Sequence, residues 1–239
     1  MLIDTHVHSK PHSSCSWLYA KDIPMLFKNS GFSGFMLTNH FFEYHLNNLG
    51  STYSEQIDSY IDAYNVAYKA GKEIGIQVFF GAEVRVTDQK LDQNNEPKPF
   101  RPEFLLVGIT PNKLKKVPIL YKLNQKELFE YANANDILIY QAHPYRTAQG
   151  YTPANLKYTH GIEVFNGHPH FLDETFSALK LAKENKLLML AGSDMHIERQ
   201  AGTAGIDIPE GIKDSQELYS FLKQNKPKNL NKEKLIVEF

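Results

Sequence analysis

Short apolar runs alternate with stretches of helical spacing along the 239 residues of the chain. Runs at 2–7, 34–38, 76–86, 103–109, 137–142, 161–165 and 187–191 read as strands, and the helical patterns between them predict βα units around a mainly parallel sheet or barrel. The clearest helix follows the second strand, where Ile57, Tyr60, Ile61, Tyr64, Ala67, Tyr68 and Ile74 recur on one face. Further helices fit 20–29, 125–134, 173–185 and 214–224, with Pro24 in a first turn, where a missing N–H does little harm. Segments 41–53 and 87–102 carry no pattern of their own and are expected as long loops, either lids or plain surface.

Composition narrows the class without changing this picture. Apolar residues at 42% and charged residues at 22% are ordinary globular usage, which predicts a single domain over 1–239 and leaves no ground for disorder. A net charge of -1 provides no global field for nucleic acid or an anionic membrane, so a phosphate-bearing ligand needs a local site. A single cysteine, Cys15, excludes an intrachain disulfide, and no run approaches the ~20 apolar residues of a membrane span. The expected location is the cytoplasm, and the lysine-rich "KQNKPKNLNKEK" reads as a solvated surface segment.

The informative polar residues sit at the ends of the apolar runs. His6 and His8 close the first strand, Asn39 and His40 the second, and Glu83 lies late in the third; His143, Asn166, and Asp194 with His196 follow the fifth, sixth and seventh. In parallel α/β architectures those ends converge on one rim. Side chains two apart on a strand share a face, so His6 and His8 can reach one cation. One such pair is as readily two surface histidines, but a His, Glu, His and Asp-x-His series at successive strand ends predicts a metal site. Imidazoles with carboxylates and no thiolate cluster suit Zn, Mn or Fe with open positions, and Glu83 has two oxygens with which to bridge two cations.

With these residues in hand, the chain resembles the PHP (polymerase and histidinol phosphatase) family of metal-dependent phosphoesterases. The resemblance rests on "DTHVH" at 4–8, "LTNH" at 37–40, "FGAEV" at 80–84, "QAHPYR" at 141–146, "GIEVFNG" at 161–167 and "GSDMH" at 192–196. It implies an α/β fold, a distorted (β/α)7 barrel, with one to three divalent ions (Zn, Mn or Fe) at the C-terminal rim. His6, His8, Glu83 and Asp194 would hold one ion, Glu83 and His143 a second, and His40 with His196 a third. Three places depart from the family pattern: Ser13 and Ser14 stand where many members carry a ligand, Thr110 where some carry histidine, and Asn39 replaces the aspartate of "TDH". His12 is a candidate substitute ligand or a loop histidine, Cys15 a soft ligand or a small buried residue, and His168 and His170 candidates for the pocket rim. His45 and His160 read as ordinary loop residues.

The function implied is hydrolysis of a phosphomonoester or phosphodiester by a metal-activated water, on a small phosphorylated metabolite or nucleotide. Arg146 is the expected phosphate clamp, because guanidinium offers paired planar donors, and Arg85 and Asn166 are further substrate-side candidates. Arg146, Asp194 and His196 form the expected catalytic group. "AGTAG" at 201–205 is either a close approach of backbone to the site or a tight turn. Two other classes fit part of the pattern: a TatD-like or amidohydrolase-type barrel, against which the histidine in "GSDMH" counts, and a non-catalytic metal-binding domain. No oligomeric state follows from the sequence.

Overall fold

The computed structural model describes residues 1–91, 94–116, 119–146, 151–168, 175–224, 227–230 and 236–237. The chain begins with β1 (Leu2–Val7), α1 (Ile23–Asn29) and β2 (Gly34–Leu37), which resumes after two residues as β3 (His40–Phe41). The short α2 (Glu43–Leu46) precedes α3 (Tyr53–Ile74), which starts where Thr52 and Glu55 form a reciprocal capping box. Then come β4 (Gln77–Phe80), β5 (Ala82–Arg85), a hairpin of β6 (Asp88–Leu91) and β7 (Pro97–Phe100), β8 (Glu103–Val107), α4 (Pro111–Leu114), α5 (Gln125–Ala134) and β9 (Leu138–Gln141). The remainder is β10 (Gly161–Asn166), α6 (Thr175–Asn185), β11 (Leu188–Gly192), β12 (Gly205–Asp207), α7 (Ser215–Gln224), β13 (Lys228–Leu230) and β14 (Ile236–Val237). Among the described residues no helix is long and apolar enough to cross a membrane.

The strands form two six-stranded sheets, ordered β14-β13-β12-β1-β2-β4 and β11-β10-β9-β8-β5-β3. Side chains from both meet in one apolar cluster that includes Ile3, Met36, Phe79, Leu105, Tyr140 and Leu190, all fully buried. Burial of each such side chain contributes about 1.5–3 kcal/mol, so this plug holds the sheets face to face beneath the polar strand ends. The sheets also touch through backbone: Val7, at the end of β1, bridges in parallel to Met195, three residues past β11.

Three expectations are corrected here. The run 76–86 is two strands, because the chain passes from one sheet to the other at Gly81, where a Cβ would meet Met36 Cγ at 2.8 Å and Thr38 Cγ2 at 2.9 Å. The 87–102 segment contains the β6–β7 hairpin, and 41–53 contains α2, so neither is a patternless loop. The parallel arrangement is broken by β8, antiparallel to both β5 and β9. The ladders among the described residues form two sheets, and the α/β class stands.

Candidate metal centre

β1 runs parallel to β2, β3 to β5, and β9 and β11 to β10, so their C-terminal ends face one mouth. Because β8 runs the other way, its first residue, Glu103, arrives at the same mouth. The backbone there is held in uncommon conformations: His143 has φ +31° and Asp194 φ +53°, of the kind that cost about 1–3 kcal/mol and gather at functional sites. Gly192 lets β11 close on β1, since a Cβ there would lie 2.4 Å from that of His6.

Hydrogen bonds fix which nitrogen each imidazole presents. His6 Nδ1 donates to Glu163 Oε1 at 2.9 Å, and the other oxygen of Glu163 accepts from His143 N–H and Asn166 Nδ2, each at 2.9 Å. Ser13 Oγ donates to Asn39 Oδ1 (3.1 Å) and therefore accepts from His8 Nδ1 (3.0 Å). His40 Nδ1 donates to Glu83 Oε2 at 2.6 Å, and His196 Nδ1 to the Asp194 carbonyl at 2.8 Å. In each case Nε2 is left as the lone-pair nitrogen, the arrangement in which metal-binding histidines are oriented by their second nitrogen.

Those lone pairs converge. His6 Nε2 lies 3.3 Å from Glu83 Oε1 and 3.5 Å from Asp194 Oδ1, His8 Nε2 3.3 Å from Asp194 Oδ1, and His143 Nε2 3.3 Å from Glu83 Oε1 and 3.2 Å from Glu103 Oε2. Yet His6 Nε2, His8 Nε2 and Glu83 Oε1 are buried without a well-formed hydrogen bond among the described residues. Three groups have donor atoms within 4.8 Å of one another: His6, His8 and Asp194; Glu83, Glu103 and His143; and His8, His40 and His196. Orphaned buried donors of mixed nitrogen and carboxylate character suit a divalent cation, which would also offset the carboxylates crowded there. Burial alone would raise the Glu83 carboxyl, but His6 and His40 hold it well below the usual range; Arg146 and His6 do the same for Asp194.

The mouth opens into a cavity of about 590 Å³. The same architecture occurs in solved structures. A two-domain protein from Bacteroides vulgatus containing a PHP-like metal-dependent phosphoesterase superposes with a TM-score of 0.63 at 16% identity, over 97% of this chain. The chain spans 64% of that protein's length. A protein from Bifidobacterium adolescentis, named as a candidate metal-dependent phosphoesterase, gives 0.56 at 12% identity over 93% of this chain and 96% of its own. An amidohydrolase from Chromobacterium violaceum, with bound sulfate and no metal, gives 0.57 at 14% identity over 96% and 98%. At such identities the likeness is one of fold. No curated protein matches the sequence. A family model described as PHP-associated matches residues 174–227. The PHP-associated match and the PHP-like neighbours support a PHP-domain family for this chain.

The structure brings together all seven histidine and carboxylate candidates, His6, His8, His40, Glu83, His143, Asp194 and His196, as the distances above describe. Arg146, largely buried, places one guanidinium nitrogen 2.5 Å from Asp194 Oδ2 and 2.7 Å from Asn166 Oδ1. Asn166 is buried behind Arg146, where it also donates to Glu163. Arg85 lines the cavity but is paired with Glu103 and lies over the Phe42 ring at 4.2 Å. His168 also lines the cavity, its ring 6.1 Å from that of His196; His170 lies outside the described residues.

Several residues that depart from the expected pattern acquire roles of their own. Ser13 is a hub that orients His8 and accepts from the His40 backbone at 2.9 Å, with Asn39 fixing its hydroxyl. His12 turns away and bonds the Ser59 carbonyl through Nε2 at 2.8 Å, and Thr110 caps α4. The 201–205 stretch is a turn into β12, which pairs with β1 at Leu2 and Ile3, the end away from the histidines. His45, expected as a loop residue, stands in α2 with its ring 4.8 Å from His40. Reading the sequence missed Glu103 and Glu163, and also Tyr151, whose hydroxyl donates to Glu103 Oε2 at 2.9 Å. The available signal was an acid within an otherwise apolar run, in "EFLLV" and "GIEVF". Cys15 also stands at the wall: burial would raise its thiol, but hydrogen bonds with His196 and His40 bring it to about 6.

Proposed function

We propose that this PHP chain is a metal-dependent phosphoesterase hydrolysing a phosphomonoester or phosphodiester of a small metabolite or nucleotide. The observation that carries it is the set of orphaned donors around Glu83, opening on the cavity that also receives Arg146. The reading takes residues 1–239 as one domain and the two sheets as a distorted seven-unit barrel, a closure supported by the Val7–Met195 bridge. It assigns His6, His8 and Asp194, then Glu83, Glu103 and His143, then His40 and His196, as holders of one to three ions, Zn, Mn or Fe.

A divalent cation so held supplies hydroxide near neutral pH and offsets charge on phosphoryl oxygens. The protein supplies placement. Glu163, Ser13 and Glu83 keep the imidazoles in the tautomer that presents Nε2. Asp194 and Asn166 aim the Arg146 guanidinium, whose planar fork suits phosphoryl oxygens. Arg85, braced by Glu103, adds positive charge on the other wall. His196, at the wall two residues after Asp194, has Nδ1 tied to the Asp194 carbonyl, which leaves Nε2 to face the cation.

The test is phosphate release from a panel of sugar, nucleotide and histidinol phosphates with added Mn or Zn. Metal-stimulated turnover is expected, lost in a Glu83→Ala, His143→Ala double variant; full activity in that variant overturns the assignment. The fold shared with an amidohydrolase supports a second reading, C–N bond hydrolysis at the same centre. Turnover of amides with inert phosphate esters would favour it.

A further inference from the structure

Resting on the metal-centre reading above, we infer that the Cys15 sulfur is a ligand of the cation held by His40 and His196. The need for it comes from His8. With Nδ1 committed to Ser13, His8 has one lone-pair nitrogen, and that atom borders two donor groups: the one with His6 and Asp194, and the one with His40 and His196. One lone pair serves one ion. When His8 completes the group with His6 and Asp194, the corner formed by His40 and His196 is short of a donor.

Cys15 stands where that donor is needed. Its Sγ is 3.2 Å from His40 Nε2, the nitrogen left with a lone pair once Nδ1 donates to Glu83. It also contacts His196, whose Nδ1 is occupied by the Asp194 carbonyl. The His8 ring borders the same corner, its centroid 4.3 Å from that of His40 and 4.4 Å from that of His196, while its buried, unbonded Nε2 lies 3.3 Å from Asp194 Oδ1 on the side of the other group.

The loop is tied on both sides of the cysteine. Ser14 N–H donates to His45 Nδ1 at 3.3 Å, Ser16 Oγ donates to the His8 carbonyl at 3.1 Å, and Trp17 N–H to the His196 carbonyl at 2.9 Å. Cys15 is thereby held at the cavity wall although it is exposed. On binding, the cation takes the place of the thiol proton between Sγ and His40 Nε2: the S–H bond breaks, the proton leaves to solvent, and a sulfur–metal bond forms with no change of oxidation state. A thiolate makes this corner softer than a carboxylate would, which favours Zn, Co or Fe over Mn or Mg.

Cobalt(II) reports on this directly. The full chain, stripped with chelator and reloaded with Co(II), is expected to show a thiolate-to-cobalt charge-transfer absorption in the near ultraviolet. Cys15→Ser is expected to lose that band while keeping the visible cobalt bands of the nitrogen and oxygen sites. Alkylation of Cys15 by iodoacetamide, followed by mass spectrometry, is expected to slow at least about tenfold on loading. A Cys15→Asp variant is expected to restore the ion count without the band. Cobalt bound in full with no charge-transfer band and unchanged alkylation overturns the inference and leaves the phosphoesterase reading standing. A chain that binds no cobalt overturns both.

Discussion

The molecule has a cleft at each end of its strands, and the larger is the less equipped. The cleft beside Met1, Ser33 and Gln77, where β1, β2 and β4 begin, encloses about 780 Å³, against about 590 Å³ at the mouth. Its charged groups, Lys28, Lys72, Lys213 and Glu210, are exposed to water, and none of the buried unbonded side-chain atoms among the described residues belongs to its lining. At the mouth Glu83, Glu103, Arg146 and Asp194 are buried and several donor atoms lack partners. Volume provides room for a ligand; desolvated donors with their orientation already fixed provide a reason for one to stay.

Four measurements break or sharpen this contrast. The largest effect is expected from Glu83→Gln, which keeps the shape of the side chain and removes the charge shared by His6, His40 and His143. Turnover should fall about a thousandfold and bound metal should drop with it. Wild-type metal content in this variant would remove Glu83 from the cage. Next is Arg146→Lys, which keeps the charge but loses the fork directed by Asp194 and Asn166. We expect kcat/KM to fall about 10–100-fold with metal content unchanged.

A smaller effect concerns a half-buried histidine of the other kind. His160 has both nitrogens engaged: Ile139 N–H donates to Nδ1 at 3.1 Å, and Nε2 donates to Asn133 Oδ1 at 3.2 Å. Burial, then Lys223, lowers its pKa from 6.5 to about 4. Because the folded state resists the proton, the stability contributed by neutral His160 is complete above pH 6.5 and declines as pH falls toward 4. Denaturant titrations of His160→Gln should show a flatter stability profile across that interval, and a profile as steep as wild type would count against the neutral-imidazole bond. The smallest effect is expected from replacing Lys28, Lys72 and Lys213 together with alanine, which should leave kcat/KM within about twofold. A large loss would make the far cleft part of the function.

Much of the mouth was legible in the sequence because His6, His8, His40, Glu83, His143 and Asp194 each lie at or near the end of an apolar run, and parallel strands deliver such ends to one place. Glu103 escaped that rule because it begins a strand; only the antiparallel setting of β8 brings a beginning to the mouth. The break at Gly81 was hidden inside an apolar run that continues unchanged across it. The β6–β7 hairpin was hidden for the opposite reason: "LDQNNEPKPF" has neither alternation nor β-branched residues, and its prolines suit only an edge. Ser13 carries no signal of its own, since its importance comes from the three groups that meet at one hydroxyl.

That hairpin stands on a clasp. Arg85 and Glu103, paired across β5 and β8, close its base, so the segment from 86 to 102 leaves and returns at a fixed gap. Exchanging it for a longer or shorter one therefore changes the outline of the molecule beyond the clasp while Glu83 and Glu103 keep their positions, so that this segment can vary without disturbing the chemistry below.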